Sequence, residues 1–457
     1  MPATTDPENL HAIFKAYDVR GTVPDQLDED LARKVGNAFV QETGSQGGSI
    51  VVGYDMRPSS PGFAQAYAEG AADAGADVVL IGLASTDQLY FASGHLGMPG
   101  AMFTASHNPA QYNGIKQCRA YAVPLGMESG LAEIRDRVAA GTYEEAATKG
   151  AISERDVLAE YAAYLLELVP VTGRRLKVVV DAGNGMAGHT APPVLEGIAD
   201  VIPLYFELDG TFPNHEANPI EEENLRDLQA RVLAEGADLG LAFDGDADRC
   251  FVVDERGRAI SPSVLTALIA ARELAKHPGS TIIHNLITSK AVPEIVAEHG
   301  GVPVRTRVGH SFIKATMAET NAVFGGEHSG HFYFRDFWRA DSGMLAALHT
   351  LAALAETDQP LSELLADYTR YVPSGEINST VHDQQAVLKA LESEYAGQEG
   401  IRVDHLDGLT VVATDWWFNV RASNTEPLLR LNAEGNDQAT MVEIRDAVLQ
   451  LIRKDQQ

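Results

Sequence analysis

Apolar, β-branched runs alternate with helix-patterned stretches along most of the chain, which is the pattern of α/β layers. Ser49-Ile50-Val51-Val52-Gly53-Tyr54 predicts a buried strand, followed by a helix over 62–74 and a second strand over 77–81. The same opening returns at 176–181, with a Gly-rich turn and a helix over 190–195. It returns again at 280–284, with a helix over 290–298 and a strand over 302–304. Three such openings predict three related α/β units with mixed sheets, although literal identity between them is low. A charged helical stretch over 131–147 marks one boundary between them. After 366 the character changes: strands over 376–381 and 408–413 flank a helix over 384–395, and a helix over 438–453 closes the chain. This predicts a fourth, smaller unit of α+β type. Domain limits are expected at 1–148, 149–253, 254–366 and 367–457. The most apolar run, 343–355, contains His349 and is too short to span a bilayer.

Composition narrows the function classes. Of 457 residues, 64 are acidic and 35 basic, for a formal net charge of −29. A nucleic-acid or anionic-membrane partner would need a basic footprint, so both are excluded, and anions must be bound by local basic clusters. Hydrophobic residues at 45% supply ample cores, which rules out a disordered chain. Cys118 and Cys250 give neither a disulfide framework nor a four-ligand zinc site. The N-terminal stretch shows no basic region followed by an apolar run. The expected compartment is the cytoplasm.

Three patterns imitate known sites. Gly183-Asn-Gly185-Met-Ala-Gly188 follows a strand and fits a dinucleotide fingerprint, with Glu207 or Asp209 as the acid, but a tight strand-to-helix turn needing positive φ explains it better. Asp244, Asp246, Asp248 and Glu255 have calcium-loop spacing, yet Arg249 stands where that loop needs glycine, and 250–254 reads as a strand. Ser106-His107 is not expected to be a catalytic dyad, because adjacent side chains generally point apart.

The strongest local signal is Thr104-Ala105-Ser106-His107-Asn108-Pro109. Pro109 disfavours helix at Asn108 and is expected to hold the loop extended. A bare serine is a poor nucleophile, whereas a phosphoserine is a phosphoryl donor that needs a metal and basic groups nearby. Asp244, Asp246 and Asp248 follow the strand-like 238–243, where i, i+2, i+4 spacing points carboxylates one way. Three hard oxygen ligands describe magnesium better than zinc. Arg249, next in sequence, would put a fixed cation beside a transferring phosphoryl group. Gly325-Gly326-Glu327-His328-Ser329-Gly330-His331 offers an acid, a hydroxyl and imidazoles to a polyol. Arg421-Ala422-Ser423-Asn424-Thr425-Glu426-Pro427 has the composition of a phosphate cradle, with Trp416 and Trp417 expected to pack beneath it.

These four loops, in this order, make the chain resemble the α-D-phosphohexomutases, and most of all the bacterial phosphomannomutase/phosphoglucomutase branch. The likeness runs from Lys15-Ala-Tyr17-Asp18-Val-Arg20-Gly21 to the final unit. It implies a four-domain, heart-shaped enzyme with a central cleft, its fourth domain mobile. It implies Ser106 as phosphoserine, and one Mg²⁺ per chain on Asp244, Asp246, Asp248 and a phosphoserine oxygen. Lys116, Arg20 and His310 are then the acid/base candidates, and Glu327 and Ser329 hold sugar hydroxyls. Arg421, Ser423, Asn424 and Thr425 hold the non-transferring phosphate, with Tyr17, Arg249, Lys290 and His331 as further substrate contacts. His328 departs from the best-known members of the branch and bears on sugar preference.

The implied reaction is the reversible interconversion of hexose 1-phosphate and hexose 6-phosphate, with mannose, glucose or both as sugars. Hexose 1,6-bisphosphate is its intermediate and activator, a small-molecule sugar phosphate is the partner, and the chain is a monomer or homodimer. The alternatives are a phosphoglucosamine mutase, a D-x-D phosphatase with Asp244 or Asp246 as nucleophile, and a non-catalytic sugar-phosphate binder.

Overall fold

The computed structural model describes residues 4–422 and 428–454, without the side chains of residues 310 and 311. The chain forms two compact units that do not follow chain order: Met1–Ser261 with Ser329–Glu363, and Pro262–His328 with Leu364–Gln457.

In the first unit, Ser49–Tyr54 lies inside a seven-stranded mixed sheet. Its β-branched run suits a strand covered on both faces, and it pairs in parallel with Asp77–Leu83 and with Gly100–Phe103. Gly100–Phe103 pairs antiparallel with Tyr112–Arg119, which pairs antiparallel with Asp18–Thr22. Ser106 therefore sits in the connection between two neighbouring strands, and Lys116 on the second of them. Helices Glu29–Thr43 and Ser60–Asp73 cover the sheet, and Val35, Phe39, Phe63 and Tyr67 join Ile50, Val52 and Phe103 in one core.

A second sheet in this unit has the order Ala259–Ile260, Cys250–Asp254, Leu239–Phe243, Leu176–Asp181, Ala199–Leu204. Its last three strands are parallel, and Cys250–Asp254 turns back antiparallel to Leu239–Phe243. The unit also holds the antiparallel pair Phe332–Phe334 and Ala340–Asp341, and the helix Gly343–Ala355, which is buried along its whole length. The helix expected over 131–147 extends only over Ala132–Ala139: Ala140 and Gly141 bond back to Asp136 and Val138 and turn the chain.

The second unit places Thr281–Asn285 between Val302–Thr306 and Phe324–Gly326, all parallel, with helices Pro262–Lys276, Ala291–Glu298 and His310–Thr320. Its other part is an antiparallel sheet in the order Val372–Thr380, Leu428–Gly435, Trp416–Ala422, Leu409–Val412, Arg402–Asp404. Helices Gln384–Tyr395 and Gln438–Ile452 pack on it through Val387, Leu391, Ile444 and Val448. Among the described residues, no helix is long and apolar enough to cross a membrane.

One buried carboxyl ties three helices of the first unit together. Asp87, in helix Thr86–Leu96, accepts from Ser85 Oγ, from Tyr161 OH at 2.8 Å and from Ser342 Oγ at 2.6 Å. Tyr161 lies on helix Leu158–Leu168, and Ser342 caps Gly343–Ala355. Burial pushes the Asp87 carboxyl up to about 6 against the pull of these hydroxyls. The folded group thus keeps its proton above the ordinary value of 3.8, so its contribution to stability falls as pH rises from there through about 6 and then levels. Tyr161→Phe removes a donor to the carboxylate and moves the folded value higher still. The expected cost is about 1.5–3 kcal/mol at about pH 8 and distinctly less at about pH 5, read from urea unfolding. An equal cost at both would contradict the role given to Asp87.

Candidate active site

Ser106 stands in a tight turn, where the sequence suggested an extended loop. The Asn108 N–H donates to the Ala105 carbonyl at 3.0 Å, and Ser106 itself is left-handed, at φ 49°. A non-glycine residue in that region is strained by about 1–3 kcal/mol and persists only where its surroundings enforce it. Here the Ser106 N–H donates to Thr104 Oγ1 at 2.9 Å, while its carbonyl accepts from the guanidinium of Arg57 at 3.0 Å. The hydroxyl donates to Asp244 Oδ2 at 2.9 Å. The same backbone twist brings Ser106 Oγ within 3.3 Å of His107 Nδ1, so these neighbours do not point apart as expected. Crowding by neighbouring groups, then the charges of Arg249 and Arg20, lower the pKa of the His107 imidazole, although the residue stays exposed to solvent.

Strand alternation does not gather the three aspartates. They occupy the turn between Leu239–Phe243 and Cys250–Asp254, where Ala247 is left-handed at φ 60° and its N–H donates to the Asp244 carbonyl at 3.0 Å. The result is nonetheless convergent: Asp244, Asp246 and Asp248 are buried, with carboxylate oxygens all within 4.8 Å of one another. A side chain on Gly245 would meet the Ser106 carbonyl oxygen at 2.4 Å, so the aspartate and serine turns approach as closely as they do only because that residue is glycine.

Cations balance the cluster. Lys116 Nζ lies 2.7 Å from Asp246 Oδ2 and 2.6 Å from Asp248 Oδ2, and Arg249 Nε lies 2.9 Å from Asp244 Oδ2. Burial disfavours the Lys116 ammonium, but Asp246 and Asp248 outweigh it and hold its pKa well above the ordinary lysine value. Burial raises the Asp244 carboxyl, whereas Lys116 holds that of Asp246 below its usual range despite burial. Asp246 Oδ1 and Asp248 Oδ1 are buried and accept no hydrogen bond from the described residues. Two orphaned hard oxygens beside a third carboxylate are a donor set that fits a divalent cation of the magnesium type.

Other expected residues of the first unit have partners of their own. Arg20 donates to Asn108 Oδ1 at 2.6 Å and pairs with Asp18, and half-buried Tyr17 precedes its strand. Arg249 also reaches Asn218 Oδ1 at 3.4 Å, and its backbone forms a bridge with His331. His331 Nδ1 lies 2.9 Å from Ser329 Oγ, and its Nε2 lies 3.6 Å from Asp248 Oδ1.

The second unit holds the remaining candidates. Glu327 is buried, and its Oε1 accepts from Gly309 N–H at 3.2 Å and Asn285 Nδ2 at 3.3 Å. Lys290 donates through its backbone to Glu434 Oε1 at 3.0 Å and through Nζ to the Thr414 carbonyl at 3.2 Å. Burial lowers the pKa of His328. Arg421 lies 3.5 Å from Glu376 and 3.9 Å from Asp407. Trp417 donates its indole N–H to Glu434 at 2.8 Å, and Trp416 stacks on Phe418. His310 opens a helix, but its side chain is outside the described residues, as are Ser423, Asn424 and Thr425 altogether.

Two contributors carried no sequence signal. Thr86 donates its hydroxyl to Asp246 Oδ2 at 2.6 Å and its N–H to the Asp246 carbonyl at 3.0 Å, across 160 positions of sequence. Arg57 grips the serine turn, and only its place after a predicted strand could have drawn notice. The first two imitations resolve as expected: Gly183 and Asn184 both take positive φ in a strand-to-helix turn, and 250–254 is a strand.

Four models of one family match consecutive stretches of the chain. They are phosphoglucomutase/phosphomannomutase alpha/beta/alpha domain I at residues 11–145, domain II at 159–257, domain III at 262–371 and the C-terminal domain at 376–451. A protein of Xanthomonas campestris named as a phosphohexose mutase is 42% identical over 94% of this chain and 97% of its own. A phosphomannomutase of Salmonella montevideo is 39% identical over 96% and 98%. The crystal structure of a phosphoglucomutase/phosphomannomutase family protein from Burkholderia thailandensis superposes with a TM-score of 0.89 at 33% identity, covering 99% of this chain and 98% of the other. These likenesses favour neither a phosphoglucosamine mutase nor a D-x-D phosphatase. With a serine hydroxyl set on a buried carboxylate triad, and with all four domains matched, the chain belongs to the phosphoglucomutase/phosphomannomutase family and is an isomerase of the phosphohexose mutase kind.

Proposed function

We propose that this mutase interconverts the 1- and 6-phosphates of mannose and glucose by passing one phosphoryl group through Ser106. The observation that carries the reading is the Ser106 hydroxyl, buried and 2.9 Å from Asp244 in a triad flanked by Lys116 and Arg249. The family description names both sugars' mutases, and the Salmonella relative is named for mannose.

In the first half-reaction the bond from phosphorus to Ser106 Oγ breaks and a bond to the free sugar hydroxyl forms, giving hexose 1,6-bisphosphate. The hydroxyl proton passes to a base. After the sugar turns around, its other phosphate returns to Ser106, and the same groups run in reverse. Asp244, Asp246 and Asp248, with a phosphoserine oxygen, would hold one Mg²⁺ per chain, which would supply charge neutralisation for the transferring group. We assign Lys116, which Asp246 and Asp248 keep protonated, as the proton donor to the departing oxygen, with His310 as the candidate base. Arg20 acts electrostatically, since a guanidinium keeps its proton at neutral pH. Arg249 stabilises charge at the reacting end. Glu327, Ser329, His331 and Tyr17 bind sugar hydroxyls, Lys290 supports them, and Arg421, Ser423, Asn424 and Thr425 hold the phosphate that stays. His328, neutral because of its burial, belongs to sugar selection. The cytoplasm is the proposed compartment, in keeping with two buried cysteines that are not joined in a disulfide.

Ser106→Ala is expected to lower kcat by roughly three to six powers of ten without loss of fold, because one turn hydroxyl contributes little to stability. Turnover near that of the original protein would point instead to an aspartyl nucleophile. Asp246→Asn keeps the shape and removes one charged ligand, so the Mg²⁺ concentration for half-maximal activity should rise by at least about tenfold. Full activity in excess chelator, before or after this change, would rule out the metal assignment.

A further inference from the structure

Arg57 has no part in the reaction as proposed above. It follows the strand Ser49–Tyr54, is only 1% exposed and so is shielded from solvent, and lies beneath the serine turn. One nitrogen of its guanidinium donates to the carbonyls of Pro109 and Tyr112, each at 2.9 Å. The other donates to the carbonyl of Ser106 at 3.0 Å and to that of Asn108 at 2.6 Å. Nε faces Asp55 Oδ2 at 3.3 Å, and Asp55 is itself fixed by the Ser60 hydroxyl at 2.6 Å and the Arg57 N–H at 3.0 Å. Phe212 covers the guanidinium face, 5.1 Å from its ring centre.

We infer that Arg57 is a positioning residue for phosphoryl transfer: its planar fork fixes the turn that aims Ser106 Oγ, while touching no substrate. This inference rests on the Ser106 reading above. Four carbonyls drawn to one cation set the turn from 106 to 112, and the peptide after Ser106 can no longer rotate. With that carbonyl also pressed against Gly245, the left-handed Ser106 has one direction for its hydroxyl, toward Asp244. Lysine could not replace it, because a point charge on a flexible stem cannot serve four acceptors in fixed directions. The aspartate triad is held by different partners, Thr86, Lys116 and Arg249, so metal binding by the dephosphorylated protein is separable from the aim of the serine.

The test is the rate at which Ser106 takes up phosphoryl from glucose 1,6-bisphosphate, followed by mass spectrometry of the Ser106 peptide. Arg57→Lys should slow it by about a hundredfold, the usual penalty for a displaced reacting group. The KM for glucose 1-phosphate, and the midpoint for Mg²⁺ binding to the dephosphorylated protein, should stay within about threefold, a split that general loosening would not give. In Arg57→Ala, added guanidinium at low millimolar concentration should restore part of the rate, and methylammonium should not. Phe212→Leu keeps apolar cover without the aromatic face and should slow labelling about threefold, which keeps the test open should the Arg57 variants fail to fold. Labelling of Arg57→Lys at the original rate, loss of Mg²⁺ binding in parallel with labelling, or an unaltered Phe212→Leu alongside unfolded Arg57 variants would overturn the inference. Absence of label on Ser106 in the unaltered protein would overturn the underlying reading instead.

Discussion

Three carboxylates share a space 4.8 Å across in the first unit, nearly out of reach of water, and much of the surrounding structure exists to hold them there. Like charges at that separation resist joint ionisation unless cations answer them. Lys116 answers Asp246 and Asp248, and Arg249 answers Asp244. Both cations are themselves buried, so neither side of the balance can be removed without stranding the other. On the proposed mechanism, the same balance would leave charged groups already in place for an incoming phosphoryl group.

That balance needs exact backbone paths, and the fold provides them with turns. Ser106 and Ala247 are both left-handed non-glycine residues, and each belongs to a turn at the end of a buried strand. The Arg57 fork restrains the first turn, and Thr86 grips the second from the N-terminus of its helix. The next residue, Asp87, binds that helix to Tyr161 and Ser342, so the support reaches from the metal loop into the packing of three helices. Reactive groups mounted on such turns lose little freedom when substrate arrives.

Much of this could be read in the sequence. Long periodic segments such as Ser49–Tyr54, Leu176–Asp181 and Gln384–Tyr395 appear with the limits their patterns gave. Ser106 and the three aspartates were visible because their chemistry is local: a small-residue loop and a regular acidic spacing. Their geometry was not visible. Strand alternation and an extended loop were reasonable inferences from spacing and from Pro109, but left-handed turns prevailed because distant carbonyl acceptors and donors satisfy them. Arg57 and Thr86 escaped notice for the same reason, since a hydrogen bond across 160 positions leaves no periodic trace. The end of the helix at Ala139, short of its charged pattern, shows the limit of periodicity where no core lies beneath.

The central claim is that Ser106 carries the phosphoryl group between the two sugar phosphates. The most direct measurement is a rapid-quench chase: protein first exposed to glucose 1,6-bisphosphate carrying heavy-oxygen phosphoryl groups, then mixed with excess unlabelled mannose 1-phosphate and sampled by peptide mass spectrometry. The expected result is one phosphoryl group on the peptide containing Ser106, lost to the sugar at a rate no slower than turnover. Label on a peptide containing Asp244 or Asp246, or an isotope-labelled phosphoserine that outlasts many turnovers without exchanging for an unlabelled one, would contradict it.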